Sequence, residues 1–287
     1  MSKEVVYKTP LPEQGSFHDW SQRFQDRQEV VNQPYQNVEY DFFAPIVINL
    51  IADGHIGHPA TDYKRLEQEA DEIVQTPNSF VFLLGDMINN MNWNPGQMEE
   101  MEQTPEQIEY FRSYMDYLAS YQKLLLVVRG DHDGWLLKSG FDMLAEASER
   151  YGAHATAGVT QVKANVGAQE YKVGVAHQLP GHSMYNKTHP QVRAERFGGL
   201  RGADVIASAH NHGKGYSTDW QQNFDGTHQT HYVALGAYKP TDGWLAKKGF
   251  KMQDPEQMYG AAVRLDRDSD HIVYYDDILT ANKEHRE

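Results

Sequence analysis

The chain has 287 residues, enough to bury a sizeable core without covalent staples, and a single main domain is the preferred count. Its 26 basic and 40 acidic side chains give a formal net charge of −14, which argues against broad electrostatic capture of nucleic acid or of an anionic membrane. The absence of cysteine excludes disulfides, thiolate zinc sites and cysteine nucleophiles, so metal ligands must be histidine or carboxylate.

Residues 1–40 are polar and rich in glutamine, and we expect an N-terminal extension packed on the main domain. Trp20, Phe24 and Val31 have a spacing that suits one face of a short helix, and a lid or partner-binding arm is the alternative. No segment has the length of a signal peptide core or the roughly 18 apolar residues of a membrane span. A cytoplasmic protein without a membrane partner is therefore expected.

Residues 41–287 are expected to form one domain, whose first half alternates apolar runs with helical patterns. Three continuous apolar runs suit strands that are buried on both faces: 45–52, 79–84 and 123–128. Apolar spacing predicts helices over 60–76 and 136–150, the second with a buried face and a stop near Gly152. That face would consist of Leu137, Phe141, Leu144 and Ala147. Strands that alternate with helices predict parallel pairing, and ligands bind beyond the carboxyl ends of such strands.

From residue 155 onward the chain is rich in strand patterns. We predict a helix over 190–201 and a hairpin around 266–270. No internal repeat, low-complexity tract or Pro/Gly/Ser-rich linker marks a domain boundary.

Polar side chains with metal-binding chemistry follow the predicted strands at their ends. In chain order they are Asp53 and His55, Asp86 with Asn89, Asp131 with His132, His177, and His210 with His212. Since they are far apart in sequence, only a sheet whose strand ends converge would bring them together. Each histidine alone is more often a surface or hydrogen-bonded core residue. As a set, imidazoles and carboxylates suit Zn, Mn or Fe, and a carboxylate can bridge two metals about 3.5–4 Å apart.

The motifs "ADGHIGH", "GDMINN", "GDHD", "VAHQLPGHS" and "SAHNH" appear in the order of those in the calcineurin-like metallophosphoesterase family, which the chain resembles over about residues 40–275. The segments 181–190 and 236–250 resemble phage- and prophage-encoded members. The resemblance implies an α/β fold, a four-layer αββα sandwich of two mixed sheets flanked by helices. It also implies a bacterial protein, or a phage protein in the host cytoplasm.

The resemblance further implies a centre of two divalent metal ions. One ion would be held by Asp53, His55 and His212, the other by Asp131, His177 and His210, with Asp86 between them. Manganese is the expected metal, and Fe, Zn, Ni and Mg are alternatives. The implied reaction is hydrolysis of a phosphomonoester or phosphodiester by a metal-bridging hydroxide, with His132 as general acid towards the leaving group. The substrate would be a phosphate ester and could be nucleotide-like.

Further residues are candidates for contact with the substrate. Asn89 is expected to orient the attacked phosphate. Four residues lie in segments that could line the substrate pocket: His58, His182, Asn186 and Arg193. The alternative for each is a position behind the pocket-lining residues or on the surface. Substrate choice would depend on the loops 89–105 and 178–200.

Two positions depart from the family pattern. Ala209 replaces a glycine, which should matter little, and Asp131 replaces an asparagine. With Asp53, Asp86 and Asp131 as ligands, two divalent ions leave one net positive charge, where asparagine would leave two. We therefore expect Asp131 to hold its metal more tightly and to weaken attraction of the phosphoryl group. The alternative is that Asp131 ligates through one oxygen with no kinetic consequence.

Two other functional classes stay open at this point. A metal-dependent nuclease acting on DNA or RNA would suit the phage-like segments, but the acidic balance and the lack of Lys and Arg clusters disfavour it. A non-catalytic metal-binding interaction module could use the same sandwich, but it predicts lost ligands, and every ligand position carries a competent donor.

Overall fold

The computed structural model describes residues 35–90, 103–183, 185–223, 226–240 and 258–287, together with positions 17–18, 21–22 and 249. Contacts divide the chain into Met1–Pro34 and Tyr35–Glu287. In the first unit, the described positions are helical, whereas Trp20, Phe24 and Val31 lie outside the described residues. The packed N-terminal extension therefore stays a prediction, although residues 35–40 form part of a strand of the second unit.

The described part of the second unit contains strands and α-helices in alternation, followed by strands. In chain order the strands are β1 (Tyr35–Phe42), β2 (Ile46–Ile51), β3 (Ser79–Leu83), β4 (Leu124–Val128), β5 (His154–Thr156), β6 (Val159–Val166), β7 (Gln169–Ala176), β8 (Val205–Ser208), β9 (Gly215–Asn223), β10 (Gly226–Ala234), β11 (Ala261–Leu265) and β12 (Ile272–Tyr275). The α-helices are α1 (Tyr63–Gln75), α2 (Thr104–Ser120), α3 (Asp131–Trp135), α4 (Met143–Tyr151), α5 (His189–Phe197) and α6 (Ile278–Arg286).

The strands form two six-stranded sheets, of order β1-β6-β7-β8-β10-β9 and β12-β11-β2-β3-β4-β5. Both sheets are mixed. In the second, β2 to β5 run parallel and β11 is antiparallel to β2. In the first, β7 and β8 run parallel, whereas β6 and β7 are antiparallel. With helices on the outer faces, this confirms the predicted α/β fold class.

The burial of β2 explains why the sheets and helices stack in layers. All six of its residues are buried. Ile48 packs between the two sheets, whereas Val47 belongs to the cluster that joins the second sheet to its helices. Such a strand is apolar on both faces, as a continuous apolar run requires. A third cluster joins Ala194 of α5 to Ile206 on the outer face of the first sheet.

Helix α1 agrees with the helix predicted over 60–76. The Asp62 side chain accepts a hydrogen bond from the backbone of Arg65 and caps the first turn. Leu66, Ala70 and Ile73 are buried on one face. The helix ends at Gln75, and the C-cap residue Thr76 has an extended backbone.

The single helix predicted over 136–150 is wrong. A 3₁₀ turn covers Leu136–Ser139, Gly140 adopts a left-handed conformation at φ 81°, and Asp142 caps a new helix, α4. Because the chain is interrupted there, Leu137 does not share the buried face and is 44% exposed. The predicted stop near Gly152 is confirmed, since that residue caps α4 at φ 66°.

The remaining predictions and omissions concern elements further from the site. The hairpin at 266–270 is confirmed as the β11–β12 pair, and the helix predicted over 190–201 is the shorter α5. Six elements of the described residues lack a counterpart in the sequence prediction: β1, β5, β9, α2, α3 and α6. Among the described residues, none of the helices combines the length and apolar character needed to cross a bilayer.

Candidate metal centre

The predicted ligands follow the carboxyl ends of five strands, β2, β3 and β4 in one sheet and β7 and β8 in the other. Backbone hydrogen bonds join the loops that carry them. Asp53 N donates to Gly85 O at 2.9 Å and His55 N to Asp86 O at 3.1 Å, while Ala209 N donates to His177 O at 2.8 Å. These bonds hold the loops of each sheet side by side, and the bond from His210 N to Asp53 Oδ2 joins the loops of one sheet to those of the other.

A first group consists of Asp53, His55 and His212, whose candidate ligand atoms lie within 4.8 Å of one another. His55 Nε2 faces His212 Nε2 at 3.0 Å, and Asp53 Oδ1 lies 3.4 Å from the latter nitrogen. Asp53 is fully buried, and Oδ1 receives no hydrogen bond from the part of the chain that the structure describes. A buried carboxylate oxygen and converging imidazole nitrogens form a donor set that a divalent cation fits.

A second group consists of Asp86, His177 and His210, again within 4.8 Å. His177 Nε2 lies 3.2 Å from Asp86 Oδ2, and His210 Nδ1 lies 3.3 Å from His177 Nε2. The two groups are tied together through Asp53, because its Oδ2 accepts a hydrogen bond from His210 N at 3.0 Å. The structure thus brings together six of the seven residues predicted as ligands.

The hydrogen bonds of two histidines orient them as metal ligands are usually oriented. A ligating imidazole commonly donates its second ring N–H to an oxygen, which fixes the tautomer. His177 Nδ1 donates to Leu84 O at 2.8 Å, and His55 Nδ1 is 3.1 Å from the side-chain oxygen of Asn89. In each residue this directs Nε2 into its group. The residues present therefore fit divalent ions.

The ionisation of the two groups follows from their burial. Burial, with the nearby positive charge of Lys239, lowers the pKa of His55 well below its usual value, so the ring is neutral. Burial also disfavours charge on Asp86 and His177, but their mutual hydrogen bond and attraction outweigh it. The pKa of Asp86 falls to about 2 and the pKa of His177 rises to about 10.

Asp131 stands apart from the six. It begins helix α3, its side chain is 55% exposed, and its Oδ2 lies 3.6 Å from His210 Nδ1. It therefore lies at the rim of the second group, close to one of its histidines.

His132 and Asn89 contact each other beside the first group. The His132 ring packs against Trp135 with centroids 4.3 Å apart and the ring planes tilted by 36°, and it meets the His55 ring edge-on at 4.9 Å. Its Nδ1 donates to the backbone carbonyl of Asn89, which leaves Nε2 as the nitrogen available for proton transfer. The Asn89 side chain contacts His55 and is 1% exposed, so it serves to position that ring.

Asp133 bonds the backbone of the neighbouring loops rather than the His132 side chain. Its buried carboxylate accepts hydrogen bonds from three backbone amides: Asp86 N at 2.7 Å, Gly130 N at 2.9 Å and Ile88 N at 3.3 Å. Burial and the charge of Asp86 raise the pKa of Asp133 to about 7. The residue therefore joins the loops after β3 and β4.

Two glycines permit the close approach of these loops. Gly85 has φ +89°, and a Cβ there would lie 2.6 Å from Gly130 N. A Cβ on Gly130 would lie 2.1 Å from Asp86 Oδ1. A larger residue at position 85 would displace the Gly130 backbone, and one at position 130 would displace Asp86.

Five predicted ligands have left-handed backbone conformations that non-glycine residues rarely adopt: Asp53, His55, Asp86, His210 and His212, with φ between 46° and 70°. Such residues cost free energy and cluster at functional sites when the surrounding structure holds them in place. Here the backbone strain coincides with the two groups.

The residues predicted to wall the pocket have other surroundings. His58 is buried, and its Nδ1 accepts a hydrogen bond from Ala60 N at 3.0 Å. Asn186 caps its own turn, since its side-chain oxygen accepts from Thr188 N at 3.0 Å. His182 and Arg193 are exposed, and the Arg193 side chain lies beside Gly181. Their contact with a substrate stays a prediction.

Lys239 is a residue of this region that the sequence search for metal donors missed. It is 7% exposed and follows Tyr238, whose N donates to Asp53 O at 3.0 Å. Its positive charge is the second cause, after burial, of the lowered pKa of His55. The available signal was its place just after an apolar strand, which it shares with the predicted ligands.

No protein-family model matches the chain, and no curated protein matches it. Among solved structures, the chain is similar to Vacuolar Protein Sorting 29 from Cryptosporidium parvum, with 13% identity, a TM-score of 0.38 and coverage of 80% of this chain and 96% of that chain. It is also similar to the nuclease MPE from Pseudomonas putida, with 12% identity, a TM-score of 0.36 and coverage of 79% and 86%. A metallophosphoesterase from Sphaerobacter thermophilus has 13% identity, a TM-score of 0.38 and coverage of 80% and 87%. These likenesses are too distant to support an inference about function.

Proposed function

We propose that the chain is a calcineurin-like metallophosphoesterase, a metal-dependent hydrolase of phosphate esters with two divalent ions. The observation that carries the proposal is the convergence of Asp53, His55 and His212 with Asp86, His177 and His210 at the ends of strands from both sheets. The left-handed backbone of five of these residues and the directed imidazoles of His55 and His177 support it.

The first group would hold one ion, and the second group, with Asp131 at its rim, the other. Bound divalent ions would lower the pKa of a water molecule and neutralise charge on a phosphoryl group, which is most of what such hydrolysis asks of a protein. Manganese is our proposed metal. The residues of the chain supply the remaining functions.

His132 would protonate the leaving oxygen. Its Nδ1 is held by the Asn89 carbonyl, so Nε2 carries the transferable proton. Packing against Trp135 restricts the orientation of the ring. Asn89 positions His55, which neighbours His132, so one residue orients both the acid and a ligand.

Metal analysis combined with a substrate panel tests the proposal. Full-length protein would be loaded with manganese and assayed on an aryl phosphate, a bis-aryl phosphate and single-stranded DNA. We expect two ions per chain and hydrolysis of at least one small ester, with both ions weakened in Asp53→Asn. Hydrolysis of DNA alone would favour a nuclease, and two bound ions without any turnover would favour a binding module.

A matched control separates loss of the site from loss of a histidine. His212→Ala removes a proposed ligand, whereas His271→Ala removes an exposed histidine from the β11–β12 turn. We expect His212→Ala to lower the metal content and turnover, and His271→Ala to retain both. Equal metal content in the two variants would contradict the assignment of the first group.

A further inference from the structure

A recess lies at the amino ends of β2 and β3. Its volume is about 500 Å³, and its lining includes Pro45, which precedes β2, and Asn78, which precedes β3. The predicted metal ligands follow the opposite ends of these strands, and Ile46–Ile51 alone spans about 20 Å. The recess is therefore separate from the candidate metal centre.

The lining of the recess is basic in a chain that is acidic overall. Arg264 on β11 and two residues at the end of α6, His285 and Arg286, line it, and none of the described residues that line it is an aspartate or a glutamate. The whole chain has a formal net charge of −14. Burial, together with the charges of Arg264 and Lys123, lowers the pKa of His285. The recess thus concentrates positive charge on one small part of the surface.

Two cations of this region have partners that explain their position. Arg286 Nη1 donates to Thr76 Oγ1 at 2.9 Å, and the same guanidinium pairs with Glu72. Lys123 Nζ donates to Thr76 O at 2.6 Å. The dipole of a helix favours cations at its carboxyl end, so the end of α1 accounts for both.

Arg264 has no comparable partner. Its Nε is buried without a hydrogen-bond acceptor among the described residues, and no carboxylate of that part of the chain forms an ion pair with its guanidinium. A buried donor without an acceptor costs free energy, and the cost is larger for a charged group. An anion in the recess would supply the missing acceptor.

Strand β11 holds Arg264 on the face of the sheet that the helices cover. Arg264 pairs with Val47 of β2, and its chain neighbours Val263 and Leu265 are buried between the two sheets. Because successive side chains of a strand point to opposite faces, Arg264 projects towards α1 and α6. A guanidinium is a planar fork of donors that matches two oxygens of a phosphate or a carboxylate.

We propose that this recess binds the oxyanion of a small organic phosphate or carboxylate through the Arg264 guanidinium, with His285 and Arg286 beside it. The volume is in the range of small-molecule pockets, so the recess would hold a molecule larger than a free ion. The proposal does not depend on the proposed function, because the site is separate from the metal ligands. An arginine that only offsets the negative ends of α1 and α6 would contribute to stability and bind no anion.

Calorimetry on metal-free, full-length protein tests the proposal. Inorganic phosphate, pyrophosphate and citrate are titrated separately, in a buffer that contains no other oxyanion. We expect saturable binding of at least one of them, and Arg264→Met should weaken it by about 10- to 100-fold, the range of a hydrogen bond to a charged group. Arg264→Lys keeps the charge without the planar fork and should restore only part of the affinity. The relative affinities of phosphate and citrate identify the class of oxyanion.

Two control variants make the result specific. Arg267→Met removes an arginine from the turn between β11 and β12, where that side chain is 49% exposed, and should leave anion binding unchanged. His212→Ala removes a side chain of the first metal group and should also leave anion binding unchanged.

A second measurement needs no variant. An anion in the recess should raise the pKa of the His285 ring, because a nearby negative charge favours the protonated form. NMR titration of His285 with and without phosphate would detect the change. An unchanged His285 in phosphate-saturated protein would place the anion elsewhere and overturn the proposal.

The outcomes are independent of catalysis. Weaker binding in Arg264→Met, with full binding in Arg267→Met and His212→Ala, would support the site whether or not the metal-loaded protein hydrolyses any ester. Absence of saturable binding to the parent protein would overturn it. Loss of binding in His212→Ala with full retention in Arg264→Met would assign the anion to the metal groups and overturn it as well.

Discussion

Gly130→Ala tests whether the packing of two loops sets the position of Asp86. Gly130 has φ −89°, a conformation that alanine adopts readily, so the substitution introduces no backbone strain. The added methyl would instead lie 2.1 Å from Asp86 Oδ1 and 2.3 Å from Asp86 N, well inside van der Waals contact. Its effect is therefore a steric displacement of Asp86.

The size of the effect follows from what surrounds the carboxylate. Overpacking in a well-packed interior costs about 1–3 kcal/mol, and here the neighbour is a backbone amide and a buried carboxylate that cannot rotate away. We expect about 3 kcal/mol of lost stability, or a melting temperature lower by about 5–10 °C. Because Asp86 Oδ1 also accepts a hydrogen bond from His132 N at 2.8 Å, the backbone of the proposed acid should move as well.

Thermal unfolding and metal titration measure the two consequences. In Gly130→Ala, manganese should bind at least about tenfold more weakly at one position, in line with the loss of an orienting contact. Gly158→Ala is the matched control, since a Cβ there meets nothing within 4 Å. A Gly130→Ala protein with the melting temperature and metal affinity of the parent would refute the reasoning.

Three further predictions concern individual groups. His132→Ala should reduce turnover of alkyl phosphates by about 10²- to 10⁴-fold and of aryl phosphates far less, because only poor leaving groups need the proton; equal losses would remove His132 from this role. Asp131→Asn should raise turnover at saturating metal while more metal is needed for saturation, and lower turnover at full occupancy would contradict the charge argument. Asp86 raises the pKa of His177 to about 10 in the metal-free protein, so a metal that binds at neutral pH must displace a proton from His177. We therefore expect the metal affinity to rise with pH. Calorimetry in buffers of different ionisation enthalpy would detect the released proton, and an affinity that does not depend on pH would contradict the prediction.

The strands that carry the site could be predicted because they are buried on both faces. Ile46–Ile51 is apolar at every position except Asn49 for that reason, and the pattern is visible without a structure. The edge strands β1 and β9 were missed because each has a neighbour on one side only and is largely polar. In β1, Val38 packs towards the core while Glu39 is exposed, and the alternation is short and rich in polar residues.

The residues of the candidate site could be predicted only where their chemistry is distinctive. Histidines and aspartates after strands were recognisable as donors, and six of them meet in the structure. Lys239 has the same position after a strand but no metal-ligand chemistry. The role of Asn89 depends on a contact with a histidine 34 positions away, which spacing along the chain does not reveal.

The strain at the ligand positions bears on whether the centre exists before a metal binds. Each left-handed non-glycine residue costs about 1–3 kcal/mol, so five of them are stable only if the rest of the fold compensates. Hydrogen bonds within the protein offset this cost. The backbone amides of Asp53 and His55 donate to the loop after β3, and His210 N donates to the Asp53 carboxylate. Aspartate and histidine are also among the residues that tolerate this conformation best. Since the protein's own hydrogen bonds hold the strain, the ligands are arranged by folding, and metal binding need not supply the energy that orders them.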